Sequence, residues 1–295
     1  MRRAGLSPIL FAAAVLLGAT SPPPPPSVGP EIVVRGMTTN DAQEEARKFT
    51  RSQAGGPIAR WHNWLCFSVQ GLAPEQGVML VSLIKRDAAV VGIRTIDDRS
   101  CTWNVLIGVT ADADAFAAKL VKYHPALFRD YDTVGLASHH ELGVLAAPRP
   151  VRWLAVERTV GAVGSGASNE EASHINDSSH ISVNTRGDKV AELIIVDPKR
   201  IDGLGWQQLA DYIAMVLLTD PAMDERFADD RSIMSLFTAR ERGDPGPPGL
   251  TNEDRQLLRG YYAFDAYLPP AQQIGTIAAS LKAPLPDAGK APTVP

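Results

Sequence analysis

Apolar and polar positions alternate along this chain in two periods, one suited to strands and one to helices, and together they predict an interleaved order of elements. Residues 38–53 open with capping residues and carry mixed charge, which predicts a helix closed by Gly55-Gly56-Pro57. Trp64 to Val69 reads as a short strand carrying Cys66. Ala73 to Ala89 reads as a helix with Leu80, Leu83 and Ile84 on one face, and Val90 to Ile96 as a strand. Trp103 to Thr110 is apolar enough for a buried strand, and Asp112 to Lys122 follows as a helix. The stretch 130–150 reads as loop, ending in Pro148-Arg149-Pro150, before a strand from Trp153 to Thr159.

Residues 161–179 are rich in Gly, Ser and Asn, which predicts a mobile loop. Ile181 to Thr185 and Val190 to Val196 then predict a hairpin or strand pair. Gly203 to Leu218 is the longest apolar helix of the chain. Asp244 to Gly249 (DPGPPG) is a loop. Thr251 to Tyr262 is a helix with Thr251, Glu253 and Asp254 in its first turn, where acidic groups favour the positive end of the dipole.

The N-terminus changes the picture of compartment. Arg2 and Arg3 precede a nine-residue apolar run, Ile9 to Leu17, too short for the roughly 20 residues that span a bilayer. Small residues at 18–21 follow, so residues 1–21 form a signal-peptide pattern, and no Cys follows the apolar run for lipid attachment. Periplasmic or secreted localisation is expected, without a stable membrane anchor after cleavage. Removal of Arg2 and Arg3 takes the net charge from −4 to −6. Residues 22–37 contain five consecutive prolines and read as an extended spacer. One αβ domain is expected over 38–270, and a flexible tail over 271–295. The charge carries no basic cluster, which argues against a nucleic-acid partner.

The chain has two cysteines, Cys66 and Cys101, and in an oxidising compartment a bridge is the expected state. Two separate buried thiols are the alternative. A zinc site on the pair is disfavoured, because no His stands at ligand spacing from either. The glycines of Gly161 to Gly166 lack the Lys of a phosphate loop, no G-x-S-x-G nucleophile motif occurs, and His139-His140 fall on an expected surface loop.

Four features follow residue 190 in order: an apolar strand ending in Asp197-Pro198; the helix that contains Gln207, Gln208 and Asp211; the turn Ser232-Ile233-Met234-Ser235; and, after a Pro/Gly loop, the helix Leu250-Thr251-Asn252-Glu253-Asp254 to Tyr261-Tyr262. This order resembles the C-terminal half of metzincin zinc proteases, most closely over 153–262. It is also similar to a bacterial envelope-protein family of unknown function. The resemblance implies an α+β, zincin-like fold with a mixed sheet, a long buried helix and a small helical C-terminal part. It sets Gln207 and Gln208 at the first His and the Glu of the zinc motif, Asp211 at the second His, Ala214 at the Gly and Leu217 at the third His, with Met234 in the Met-turn. Glutamine has no titratable carboxylate to serve as general base, and Gln, Asp and Leu make a poor zinc trap.

The expectation is therefore a non-catalytic exported protein, without a cofactor, that binds a peptide or envelope protein in a degenerate cleft. Gln207 and Asp211 stand one helical turn apart and face the same way; a solvated stripe on a half-buried helix is the plainer reading. The alternative is a metal-dependent hydrolase whose ligands are His174, His180 and Asp211. A purely structural role, with that cleft filled, is the third possibility.

Overall fold

The computed structural model describes residues 37–51, 56–96, 101–123, 129–130, 135–136, 139–161 and 185–283. Its strands are β1 (Ala59–Arg60), β2 (Phe67–Gln70), β3 (Val105–Val109), β4 (Arg129–Asp130), β5 (Gly135–Leu136), β6 (Val151–Gly161) and β7 (Thr185–Val196). Its helices are α1 (Thr39–Lys48), α2 (Pro74–Val90), α3 (Ala113–Tyr123), α4 (His139–Ala146), α5 (Trp206–Leu218), α6 (Leu236–Glu241), α7 (Asn252–Ala263) and α8 (Pro270–Lys282). A 3-10 turn, Ile233–Ser235, precedes α6. Residues 1–36 of the expected signal peptide and spacer, the 161–179 loop beyond Gly161 and the end of the tail lie outside the described residues.

β7 is the axis of the sheet. β6 runs antiparallel along its whole length. On its other side β1 pairs in parallel with the first half of β7 and β3 with the second, and β2 pairs in parallel with β3. The crossover β2–α2–β3 is the unit that parallel neighbours require. The sheet is thus mostly parallel with one antiparallel member, a mixed αβ architecture consistent with the α+β class. β4 and β5 form a separate short antiparallel ladder.

Thr185 and Val190 to Val196, expected in two paired strands, lie in the single strand β7, whose long partner is β6; residues 181–184 lie outside the described residues. Gly187 looks like a turn residue, yet it lies in mid-strand because a Cβ there would stand 2.9 Å from Ala59 Cα. It is the close approach of β1, not a reversal of the chain, that calls for glycine. Three other expectations are corrected. Residues 90–96 are not a strand: α2 continues to Val90, Gly92 takes φ 76°, and only Thr95 forms a bridge, to Leu65. The stretch 130–150 holds β5 and α4 as well as loop, so His139 and His140 open a helix. Residues 271–282, expected in the tail, belong to α8, whose proline at the first helical position presets φ for a helix start.

α5 forms the centre of the core, with every residue from Leu209 to Leu218 buried. It packs against α2 and the 3-10 turn, and Ile194, Val196, Trp153 and Leu258 belong to the same cluster. Burying the end of such a helix strands its last carbonyls. Here side chains meet them. Trp61 Nε1 donates to Leu217 O at 2.8 Å, Lys189 Nζ donates to Leu217 O and Thr219 O at 3.0 and 2.7 Å, and Tyr262 Oη donates to Leu218 O at 2.9 Å. Lys189 reaches this place because Val190 is skipped in the ladder between the pairs Val156–Ala191 and Glu157–Lys189. That bulge shifts the alternation of side chains, so Lys189 and Glu192 share a face, 2.7 Å apart and fully buried. Burial pushes the Glu192 carboxyl up to about 7 despite the ammonium beside it.

Cys66 and Cys101 form a disulfide with a Cα–Cα distance of 6.3 Å, which ties the entry of β2 to the entry of β3 across 35 residues. Among the described residues no helix is long and apolar enough to cross a membrane. A loop of that length predicts that the Cys66→Ser, Cys101→Ser double variant loses about 3–4 kcal/mol in the chain-entropy view, read by urea unfolding. An unchanged midpoint would show that the bridge does not constrain the unfolded chain.

Candidate functional site

Gln207, Gln208 and Asp211 stand on the first two turns of α5, and the structure shows what each one holds. Gln208 reaches back so that its Oε1 accepts from Gly205 N at 3.2 Å, which caps the helix. Its Nε2 donates to Pro247 O at 2.9 Å and Pro245 O at 3.2 Å. Asp211 Oδ2 accepts from Leu250 N at 2.6 Å, and its Oδ1 accepts from Arg86 Nη2 at 2.9 Å. Gln207 Oε1 accepts from Arg86 Nη1 at 2.8 Å while its amide nitrogen donates to Asp211. The polar stripe is therefore occupied by the Pro/Gly loop 244–250 on one side and by Arg86 of α2 on the other. Asp211 is 1% exposed. Gly249 fits against it closely: a Cβ there would stand 2.5 Å from Asp211 Oδ2.

Asp87 completes this cluster. It is buried, Arg86 donates to its Oδ1 through Nε and Nη2 at 2.9 and 2.7 Å, and it faces Asp211. Burial and the neighbouring Asp211 push its carboxyl up to about 7, against the pull of Arg86. A protonated Asp87 can donate to Asp211, which gives its otherwise unpartnered Oδ2 a role.

The Met234 turn and α7 form one hydrogen-bonded unit. Asp254 Oδ1 accepts from Ser232 Oγ at 2.6 Å, and its Oδ2 accepts from Ile233 N at 2.8 Å and Thr251 N at 2.9 Å. Ser232 Oγ in turn accepts from Met234 N at 3.1 Å, and Thr251 Oγ1 caps α7 by accepting from Asp254 N at 3.0 Å. The pairing of Ser-Ile-Met-Ser with a Thr-capped helix about twenty residues on thus has a local cause: one carboxylate satisfies both helix starts. Burial raises the Asp254 carboxyl, with the hydrogen bonds from Ser232, Ile233 and Thr251 resisting.

An open cleft of about 370 Å³ lies on the Tyr212 side of α5. Of the four residues singled out from the sequence, only Met234 lines it, beside Tyr212, Trp153, Met223, Phe237 and Arg149. Tyr212 meets Phe237 edge-on at 4.8 Å, and Trp153 Nε1 donates to Pro221 O at 3.0 Å, so the aromatic walls are fixed. Arg149 Nη1 donates to Met223 O, while its Nε is buried without a hydrogen-bond partner among the described residues. Burial lowers the Arg149 pKa, with Asp224 opposing. Glu225, Arg226 and Glu241 form the rim, with Arg226 and Glu241 paired at 3.8 Å. Sequence reasoning missed Arg149, Trp153 and Tyr212. Tyr212 follows Asp211 by one residue, about 100° round the helix, and Arg149 stands in the sequence only as the middle of a Pro-Arg-Pro loop end.

The positions that the metzincin resemblance gives to zinc ligands do not fit zinc. Asp211 has both oxygens engaged, one of them by a guanidinium, and Ala214 and Leu217 are fully buried with no side-chain donor atom. Among the described residues no three of His, Cys, Asp and Glu are grouped to hold a metal. His174 and His180 lie outside the described residues. His62 sits 3.5 Å from Asp188, and burial lowers its pKa to about 4.

Asp254→Ala is expected to cost about 2–4 kcal/mol in urea unfolding, since it leaves buried donors without an acceptor. An effect below about 1 kcal/mol would mean that the turn and α7 are held elsewhere. The Asp87 pKa near 7 carries a pH signature. The folded protein holds a proton there between about pH 4 and 7 that the unfolded chain has released, so this group's contribution to stability falls as pH rises through that window. The difference in stability between the parent and Asp87→Asn should therefore change by up to about 1.4 kcal/mol per pH unit over that range. A pH-independent difference would contradict the assignment.

Comparison with protein families, with curated proteins and with solved structures finds no match for this chain.

Proposed function

We propose that this chain is an exported, non-catalytic protein on a zincin-like framework that binds a peptide or protein segment in the cleft beside Met234. The order of strand, buried helix, Met-containing turn and capped final helix supports the framework. The disulfide is consistent with an oxidising compartment. The observation that carries the reading is a division of labour on α5. Its amide and carboxylate side chains are committed to the 244–250 loop and to Arg86, whereas the neighbouring face, at Tyr212, borders open space. On this proposal the place where a zincin would carry its metal is taken by protein, and binding falls to the cleft next to it.

The cleft offers two kinds of contact. Trp153, Tyr212, Met223 and Phe237 suit an apolar or aromatic side chain. Arg149 lines the same cleft with a partly buried guanidinium, a cation that suits a carboxylate. A peptide that ends in an apolar residue with a free C-terminus presents both.

The test combines composition and binding on the purified chain. Expected are zinc well below one ion per chain, no peptidase activity, and binding of C-terminally free peptides ending in Phe or Leu that weakens at least tenfold in Arg149→Met. Stoichiometric zinc with peptidase activity would replace the proposal with the metal-dependent hydrolase. Equal binding by Arg149→Met would remove the cleft from it.

A further inference from the structure

The C-terminal end of α5 runs into a buried group of charges that takes no part in the cleft. Arg51 enters it from the exit of α1, Asp220 from the residues after α5, Glu157 from β6, and Lys189 and Glu192 from β7. Glu157 stands opposite Lys189 in the ladder, at the bulge. Asp220, Lys189 and Glu192 are buried, and the Glu157 side chain is 20% exposed. Arg51 lies between two of the acids, with its Nε 3.4 Å from Asp220 Oδ2 and its Nη2 3.7 Å from Glu157 Oε1. From α7, Tyr261 and Tyr262 also pack here, but their phenols donate elsewhere, to Ala59 O at 3.0 Å and Leu218 O at 2.9 Å. Arg60 lies beyond them and donates to Tyr261 O and Phe264 O.

Three carboxyl groups thus meet two cations, and the geometry leaves acceptors over. Glu157 Oε1, Asp220 Oδ1 and both oxygens of Glu192 are buried without a hydrogen-bond partner among the described residues. Lys189 Nζ stands 2.7 Å from Glu192 Oε2, yet its hydrogen bonds go to Leu217 O and Thr219 O. Asp220 lies within hydrogen-bonding reach of Glu157. Two carboxylates side by side offer only acceptors; one proton between them supplies a donor and removes the surplus negative charge. Burial, with the Asp220 charge next, holds the Glu157 carboxyl well above its usual range, against Arg51 and Lys189. Because Glu157 is not sealed from water, that proton can exchange with solvent.

The main chain at Asp220 joins this group to the cleft. Asp220 N donates to Phe49 O at 3.0 Å and its carbonyl accepts from Arg51 N at 2.8 Å, in a parallel bridge with Thr50. Pro221 O accepts from Trp153 Nε1 at 3.0 Å, and Ala222 and Met223 then line the cleft. Phe49 also meets Phe227, another cleft residue, with ring centres 5.0 Å apart.

We infer that the proton shared by Glu157 and Asp220 is a switch on the wall of the cleft: while it is bound, residues 219–223 lie closed against α1 and β6, and its release sets three carboxylates against Arg51 and Lys189, drives Asp220 outward and carries Pro221 and Met223 with it. Above the ordinary glutamate value of 4.5 the folded chain keeps a proton that the unfolded chain has released, so the support it gives is lost as pH rises through the raised value. Glu192, held up to about 7, adds to the same repulsion as it ionises. The switch needs no ligand, so it stands whether or not a peptide occupies the cleft.

The test is an NMR titration of the full chain, without ligand, from about pH 5 to about pH 9. The carboxyl 13C signal of Glu157 should titrate well above the ordinary glutamate range, and the Trp153 indole and Met223 amide signals should move with the same midpoint. Glu157→Gln keeps the side chain's size and a permanent donor, and should abolish that midpoint at Trp153 and Met223. Asp87→Asn removes the proton beside Arg86 instead and should leave the midpoint in place. The inference is overturned by a Glu157 carboxyl that titrates in the ordinary range, by Trp153 and Met223 signals that stay fixed while Glu157 titrates, or by a midpoint that survives Glu157→Gln or is lost in Asp87→Asn. The first two outcomes are read in the parent chain and decide the matter even where a variant fails to fold.

Discussion

A helix whose C-terminal half is apolar on every face can be buried there whole, but its last carbonyls go with it and must find donors inside the protein. Much of this structure is arranged around that requirement at α5. Trp61 arrives from the residues just after β1, Lys189 from the bulge in β7, and Tyr262 from α7, and each donates to a carbonyl at the C-terminal end of the helix. The sheet and the C-terminal helices are thereby joined through the end of one helix. The ammonium is also the right charge for the negative end of the helix dipole. The cost is a buried Lys189–Glu192 pair, which retains its place because Lys189 is needed at those carbonyls.

The opposite end of α5 obeys the same rule with different groups. Gln208 caps the first turn and holds two proline carbonyls, and Asp211 takes the Leu250 amide. Loop 244–250 leads directly into the Thr251 cap of α7, where Asp254 holds the Met234 turn. A continuous line of hydrogen bonds therefore runs from α2 through α5 and the loop to the turn beneath the cleft. In this light Gln207, Gln208 and Asp211 are fastenings. That is why the functional proposal rests on the adjacent face, where Arg149 and the aromatic walls have space in front of them.

Local signals in the sequence were sufficient wherever a segment's structure is decided within that segment. The caps at Thr38 and Thr251, the apolar face of α2 and the apolar run Tyr212 to Leu218 of α5 mark those helices within a few residues. The same-side placement of Gln207 and Asp211 follows from helical spacing. What escaped is decided by distant partners. Gly187 reads as a turn until Ala59 is set against it, and the loop that fills the polar stripe lies about forty residues beyond Asp211. The eight residues of α4 are too few for a period to show, and the Pro269-Pro270 start of α8 is easily read as the beginning of a tail. The disulfide needed only two cysteines and a compartment. The cleft residues carried no motif at all, because Arg149, Trp153 and Tyr212 meet only in three dimensions.

The central claim is that the polar stripe of α5 is a permanent fastening for the loop and not a site that opens. Native-state hydrogen exchange at the Leu250 amide measures this directly. Bonded to Asp211, it should exchange only through unfolding that also releases the amides of α5 itself. Exchange within minutes, while α5 stays protected, would mean that the loop lifts off and exposes Gln207 and Asp211, and the account of a permanent fastening would be wrong.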